Sequence, residues 1–168
     1  MPIRDLETFL PSLPQPLRVL SHRGANGSDG VISSGLGAAA IAPGRAFIVV
    51  GDIALYHDMN GLLATSRLGV EATILVMNNG GGAIFDFLPI AEHRDGYEQL
   101  FTTPTGLDCA AVAALYDVPF AQIATYDDLD SALRAPGLVE VPLERSRNVA
   151  LHRELFQRVG EAVQGIFD

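Results

Sequence analysis

Two apolar runs of the sequence stop at side chains that carry oxygen ligands. The run 47–50 is followed, after one glycine, by Asp52, and the run 72–77 is followed by Asn78 and Asn79. Apolar runs of this length without polar alternation are typical of strands buried on both faces of a parallel sheet. Ligands of open α/β sheets collect at the carboxyl ends of the strands. We therefore expect a carboxylate and a carboxamide to lie close together at one edge of the sheet.

Oxygen ligands of this kind suit Mg²⁺, which takes six oxygens and shares them between protein, substrate phosphate and water. One carboxylate with one neutral amide fits an ion that also carries a diphosphate, because a second carboxylate would repel the diphosphate. The glycines Gly80, Gly81 and Gly82 allow the backbone to turn and expose a carbonyl as a third ligand. The pattern predicts a Mg²⁺-diphosphate site. A helix cap at Asp52 and a plain turn at the glycines are the alternative.

The elements that position these residues follow from alternating strand-type and helix-type segments. This alternation predicts an α/β fold, a three-layer α/β/α unit with a mostly parallel, doubly wound sheet. Strands are predicted near 18–22, 46–51, 72–77, 120–124 and 137–142, and helices near 4–12, 29–41, 58–68, 83–87, 107–116, 127–134 and 148–166. We expect 46–51 and 72–77 to be central, adjacent strands. The segment 88–106 is a candidate for a mobile active-site loop.

Composition limits the classes of function. With 168 residues the chain is expected to form a single domain, residues 1–168. The net charge of −9, with 11 basic residues that are all arginine, argues against nucleic acid as a partner. The apolar runs are too short to span a membrane, and the acidic N-terminus is not a signal peptide. The single cysteine, Cys109, favours a reducing, cytoplasmic location.

A second glycine pattern indicates a different class of protein. Gly35-Leu36-Gly37 followed by Ala40 is close to the G-x-G-x-x-A of dinucleotide-binding folds, with Asp52 as the acid for a ribose. The residues before it make a poor strand, and the small residues also suit a helix packed closely on the sheet. A non-catalytic nucleotide-binding module is therefore one alternative.

Three segments together resemble the cofactor-binding domain of thiamin-diphosphate enzymes: RGANGSDG (23–30), GDI (51–53) and NNGGG (78–82). In that family the diphosphate segment opens with Gly-Asp and closes with Asn-Asn, and residues 51–79 match its order and length. Within the family, MPIRDLETF, GDIALYHDMNGL and NNGGGAIFDFLP are most similar to one branch. That branch decarboxylates 2-oxoglutarate and adds its succinyl unit to isochorismate in menaquinone biosynthesis. Residues 1–168 correspond to the C-terminal third of such a chain.

The resemblance implies a cofactor, thiamin diphosphate, bound through Mg²⁺ or Mn²⁺. The metal would be held by Asp52, Asn79 and the backbone carbonyl of Gly81. The same three residues, with Gly51, Ile53, Ala54 and Ile84, would form the cofactor site.

The substrate-binding residues implied by the resemblance are four. Arg4 and Arg23 would bind the carboxylates of 2-oxoglutarate and isochorismate, which suits the bidentate geometry of arginine. Ile84 and Phe85 would cover the reaction centre. Salt bridges for the arginines and core packing for Ile84 and Phe85 are the structural alternatives.

The chain departs from the family pattern in two places. Ser28 stands where the family usually has a bulky aliphatic residue that props the cofactor in its bent shape. The glutamate that activates the aminopyrimidine, and most isochorismate contacts, belong to an N-terminal pyrimidine-binding domain, so no catalytic residue is assignable here. The resemblance implies a transferase that needs this domain in cis or in another chain, within a homo-oligomer. A cofactor-binding subunit of another thiamin-diphosphate 2-oxo-acid decarboxylase is the alternative enzyme.

Overall fold

A computed structural model describes residues 2–10, 17–21, 26–42 and 44–167. In these ranges the sheet has four parallel strands in the order β1-β2-β4-β3. The strands are β1 Phe47–Gly51, β2 Thr73–Asn78, β3 Phe120–Gln122 and β4 Gly137–Pro142. The helices are α1 Pro2–Phe9, α2 Val31–Ile41, α3 Asp52–Asp58, α4 Leu63–Leu68, α5 Cys109–Leu115, α6 Tyr126–Ala132 and α7 Arg145–Phe167. Short 3₁₀ turns occupy Met59–Leu62, Ala83–Phe87 and Pro89–Glu92, and a π-helical turn occupies Glu98–Thr102.

The pairing of β1 with β2 sets the position of the strand ends. The two strands are parallel neighbours, and the last pair in register is Gly51 with Met77. Asp52 and Asn78 each follow this last pair directly, so they lie at the same edge of the sheet. The predicted adjacency of these strands is confirmed.

One face of the sheet carries the main core. Because side chains alternate along a strand, the residues that share a register level point to the same face in neighbouring strands. Ile48, Ile74 and Leu138 share one level and are buried. They form one cluster with apolar residues of α2, α3 and α5. The α/β class with a parallel sheet agrees with the sequence-based expectation.

Gly35 of α2 allows close packing against the sheet. A Cβ on Gly35 would lie 2.7 Å from Ile48 Cδ1 and 2.8 Å from Ile48 Cγ1, so glycine lets α2 lie close to β1. Gly35, Gly37 and Ala40 all lie inside the helix, whereas a dinucleotide fingerprint needs them at a strand-to-helix turn. The nucleotide-binding interpretation of this pattern is therefore wrong.

Three sequence-based expectations differ from the structure. Residues 18–21 form no strand and pair with no neighbour in the sheet. The apolar side chains of this segment are more than 60% exposed: Leu17, Val19 and Leu20. The strand β1 is an edge strand of the described sheet, not a central one. The helix expected at 58–68 begins earlier, at Asp52, directly after β1. The segment 88–106 contains the short helical turns given above.

The longest helix, α7, has 23 residues, and much of its second half is exposed. No helix in the described ranges is long and apolar enough to cross a membrane.

A paired substitution in α2 tests the packing role of Gly35. Gly35→Ala forces Ile48 to move and should lower the free energy of unfolding by about 1–3 kcal/mol. Gly37→Ala, in the same helix with open space around its Cα, should raise it by up to about 1 kcal/mol through helix propensity. Urea unfolding of both variants measures the difference. Equal effects of the two substitutions would contradict the close contact of α2 with β1.

Candidate metal and cofactor site

Asp52 is an acid buried at the end of β1. It is the first residue of α3, and its side chain is only 4% exposed. Burial raises the pKa of this carboxyl above its ordinary value of 3.8, and backbone hydrogen bonds, including one from Gly81, partly offset the rise. An acid in this state favours a proton or a cation as a partner.

The Asn79 side chain joins Asp52 to the glycine turn, which is formed by residues 80–82. With its amide oriented to satisfy its neighbours, the Asn79 nitrogen donates to Asp52 Oδ1 at 3.1 Å and to the Gly81 carbonyl oxygen at 2.7 Å. If the amide is rotated by 180°, the Asn79 oxygen faces Asp52 Oδ1 and the Gly81 carbonyl oxygen. Three oxygen atoms so close together repel one another unless a cation lies between them. The three predicted metal ligands are therefore neighbours in the structure.

The donor set fits Mg²⁺ or Mn²⁺. It consists of a carboxylate, an amide oxygen and a backbone carbonyl, which are hard ligands. Within the described part of the chain, no group of three or more His, Cys, Asp or Glu side chains could hold a metal ion. A site of low charge such as this one leaves room for an anionic ligand on the same ion.

Glycine is required at position 81 by two independent constraints. Its φ of +128° lies in the region that side chains rarely adopt, and a Cβ there would lie 2.4 Å from the Thr102 carbonyl oxygen. The next residue is held against the same group, since Gly82 N donates to Thr102 O at 2.6 Å. Thr102 itself is fully buried. The 98–102 turn thus packs against the glycine turn and restricts its conformation.

A polar cluster attaches this supporting turn to the rest of the domain. The buried Tyr97 donates its hydroxyl to Asp86 Oδ1 at 2.7 Å. Arg145 binds the Glu98 carboxylate through both terminal nitrogens, at 2.5 and 3.2 Å, and lies 3.6 Å from Asp86. Burial, with the Asp86 carboxylate, raises the pKa of Tyr97 to about 12. Part of the segment 88–106 is therefore anchored beside the site.

A cleft of about 690 Å³ lies along α3 and the end of the 88–106 segment. Its lining includes Ile53, Tyr56, His57, Glu98 and Thr103. This volume is in the usual range for a cofactor-sized ligand. A second depression, of about 470 Å³, is lined by Asn79 and its neighbours in the glycine turn.

The other predicted site residues occupy different places. Gly51 ends β1, Ala54 packs on the core, and Ile84 is 40% exposed. Phe85 contacts Phe101 edge-on, with ring centroids 5.6 Å apart.

The structure describes one of the two predicted arginines. Arg4 is exposed on α1, next to Asp5, whose carboxylate lies 3.0 Å from His152 Nε2 of α7. Arg23 lies outside the described residues. Ser28, at the start of the turn before α2, is half-buried.

Sequence reasoning missed a buried carboxylate next to the site. Glu140 of β4 is 8% exposed and accepts hydrogen bonds from Asn78 and Gln122. The signal was present, because Glu140 interrupts the apolar strand GLVEVP. The Cys109 thiol faces the same region, and burial, with the Glu140 carboxylate, raises its pKa to about 12.

The sequence matches a known protein family over most of its length. The family model described as thiamine pyrophosphate enzyme, C-terminal TPP binding domain, matches residues 7–138. The chain belongs to this family. Thiamine pyrophosphate and thiamin diphosphate are the same compound, so the resemblance found in the sequence is confirmed.

Curated relatives of this TPP-binding domain carry the name 2-succinyl-5-enolpyruvyl-6-hydroxy-3-cyclohexene-1-carboxylate synthase. The protein of Geobacillus thermodenitrificans NG80-2 is 46% identical over 169 residues, which are 97% of this chain and 29% of that protein. The protein of Myxococcus xanthus DK1622 is 46% identical over 170 residues, again 97% and 29%. The chain therefore spans less than a third of the length of these relatives.

A solved structure supports the fold. The thiamine diphosphate-dependent 4-hydroxybenzoylformate decarboxylase of Rhodococcus jostii RHA1 superposes with a TM-score of 0.53 at 23% identity. The match covers 66% of this chain and 22% of that one. At this identity the likeness concerns the fold, and it confirms the predicted α/β architecture.

The raised pKa of Asp52 predicts an unusual effect of Asp52→Asn. A carboxyl whose folded pKa is raised stabilises the fold below its unfolded pKa, and this contribution is lost as pH rises through the folded value. Without divalent cations, Asp52→Asn should therefore unfold at a higher temperature than the wild type at neutral pH. The difference should shrink as pH falls toward 3.8.

Thermal unfolding in a chelating buffer between pH 4 and 8 measures this difference. Asp127→Asn, at an exposed position, serves as the control and should have little effect. A lower unfolding temperature for Asp52→Asn at neutral pH would show that the ionised carboxylate is well accommodated without a cation.

The anchoring of the 98–102 turn predicts a cost for Tyr97→Phe. Loss of the hydroxyl leaves Asp86 without this donor and should lower the free energy of unfolding by about 1 kcal/mol. Because the pKa of Tyr97 is raised to about 12, the contribution should persist at neutral pH and vanish only as pH rises through that value. Urea unfolding measures it, with Tyr126→Phe, 93% exposed, as the neutral control. Equal stabilities of the two variants would argue against the anchor.

Proposed function

We propose that this chain binds thiamin diphosphate through a Mg²⁺ ion, with Mn²⁺ as a substitute. The observation that carries the proposal is the convergence of Asp52, Asn79 and the Gly81 carbonyl around the Asn79 amide. An Asp, an amide and a carbonyl supply few charges, so the ion keeps its affinity for a diphosphate. The family membership of the chain supports the same cofactor.

Each residue of the site has a role in this proposal. Asp52 provides the only ionisable ligand, and its burial removes competing water. Gly51, Ile53 and Ala54, at the junction of β1 and α3, border the cofactor, and Ile53 also lines the 690 Å³ cleft. Thiamin diphosphate supplies, when bound, the electron sink that decarboxylation of a 2-oxo acid requires.

We further propose that the complete protein decarboxylates 2-oxoglutarate and adds the succinyl unit to isochorismate in menaquinone biosynthesis. The names of the curated relatives support this assignment over another thiamin-diphosphate decarboxylase. In this reaction Ile84 and Phe85 would cover the reaction centre, and Arg4 and Arg23 would bind substrate carboxylates. Both substrates carry several carboxylates, which suits arginine.

The proposed reaction needs more than these 168 residues. The chain spans 29% of the length of the relative from Geobacillus thermodenitrificans. We propose that a pyrimidine-binding domain, in cis or in another chain of a cytoplasmic homo-oligomer, supplies the activating glutamate. The 168 residues alone should therefore bind the cofactor weakly and not turn over.

Calorimetric titration of the 168-residue chain with thiamin diphosphate tests the cofactor assignment. Binding should require Mg²⁺ and disappear in Asp52→Ala, which removes the charged ligand, while Asp127→Asn should bind as the wild type does. Binding that is equally strong in a chelating buffer would reject the metal clamp.

A turnover assay tests the need for a second domain. The chain should release no product from 2-oxoglutarate and isochorismate alone. Activity should appear when the remaining N-terminal part of a curated relative is added as a separate polypeptide. Product formation by the chain alone would overturn the proposed dependence.

A further inference from the structure

Glu140 is a buried charge in the middle of the sheet. It lies on β4 beside Val76 of β2, and it is 8% exposed. Its Oε1 accepts a hydrogen bond from Asn78 Nδ2 at 2.6 Å, and its Oε2 accepts one from Gln122 Nε2 at 2.9 Å. Among the described residues, no arginine or histidine forms an ion pair with it. A carboxylate buried without a cation costs stability, so its presence calls for a role other than stabilisation.

Asn78 transmits the effect of Glu140 to the glycine turn. Its side-chain oxygen accepts the backbone N–H of Gly80 at 3.1 Å, and its backbone oxygen accepts the N–H of Leu143 at 2.7 Å. A carboxamide has one donating end and one accepting end, whereas an ionised carboxylate only accepts. Glu140 therefore decides that the Asn78 nitrogen points to the sheet and its oxygen to Gly80.

We propose that Glu140 is a positioning residue for the metal site. Its carboxylate fixes the orientation of the Asn78 amide, and that amide holds the Gly80 turn so that Asn79 and the Gly81 carbonyl face Asp52. The metal part of this inference rests on the function proposed above. The hydrogen-bond part concerns the protein alone.

The network requires an acceptor at position 140. In Glu140→Leu the Asn78 nitrogen loses its acceptor, so only the Gly80 N–H still orients the Asn78 amide. In Glu140→Gln the new amide oxygen still accepts from Asn78, and the exposed Gln122 amide can rotate so that its oxygen accepts from the NH₂ group at position 140. The orientation of Asn78 is therefore weakened in Glu140→Leu and kept in Glu140→Gln.

The glutamine variant separates positioning from space filling. Glutamine keeps an acceptor for the Asn78 nitrogen, whereas leucine fills the position without one. A residue that only filled space at position 140 would tolerate leucine as well as glutamine.

Solvent exchange of the Gly80 amide, measured by NMR on the whole chain without metal or cofactor, tests the hydrogen-bond part. Exchange should accelerate about tenfold in Glu140→Leu and stay near the wild-type rate in Glu140→Gln. Thr73→Val is the matched control, because Thr73 is also buried and loses a side-chain hydrogen bond to Ala135 at the opposite end of β2. Unchanged Gly80 exchange in Glu140→Leu, or equal acceleration in Glu140→Leu and Glu140→Gln, would overturn the proposal.

Calorimetry with Mg²⁺ and thiamin diphosphate tests the metal part. Binding should weaken about 10- to 100-fold in Glu140→Leu, as is usual when support of a metal ligand is lost, and stay near the wild-type affinity in Glu140→Gln and Thr73→Val. Equal binding by Glu140→Leu and the wild type would overturn the positioning role. If the wild type itself fails to bind, the proposed function is rejected, and the exchange experiment still decides whether Glu140 orders the turn.

Discussion

The parallel pairing of β1 with β2 is the constraint on which the site depends. Because Gly51 and Met77 are in register, the first polar residues after both strands emerge at the same edge of the sheet. A slip of the pairing would move Asp52 relative to Asn79 by a whole residue, about 3.3 Å, which is more than a metal–oxygen bond. The register is held by buried apolar side chains on both strands, so the relative position of Asp52 and Asn79 is a consequence of core packing.

Burial of Asp52 has a free-energy cost that a bound cation would offset. The carboxyl is buried at the tip of an apolar strand, and hydrogen bonds from the backbone and from Asn79 compensate only part of the loss of water. A bound divalent ion would reverse the balance, since it stabilises the ionised form. Stability without ligand and affinity for the cation therefore oppose each other at this residue. In a residue with a purely structural role, burial of a carboxylate would only lower stability. In a metal ligand, the same burial would strengthen the attraction between the carboxylate and the cation.

The parts of the fold that could be predicted from the sequence are those decided by local pattern. The runs around Val50 and Val76 indicated adjacent parallel strands, and this adjacency predicted a carboxylate and a carboxamide at one edge of the sheet. The choice of Asn79 and the Gly81 carbonyl came from the family resemblance. The run 18–22 has the same apolar pattern, yet its described residues form no strand, because a strand also needs a neighbour to pair with. The predicted helix began at 58, whereas α3 begins at Asp52.

The supports of the site could not be predicted because they come from distant parts of the chain. The glycine turn is held on one side by the carbonyl of Thr102 and on the other by Asn78, whose partner Glu140 is 62 residues away. A local motif predicts which atoms can bind an ion, but it does not predict which contacts hold those atoms in position. A short Gly-rich turn has many conformations, and only outside contacts select one. The proposed binding of a cation would therefore depend on the tertiary structure, in which Thr102 and Glu140 both contribute to ordering one glycine turn.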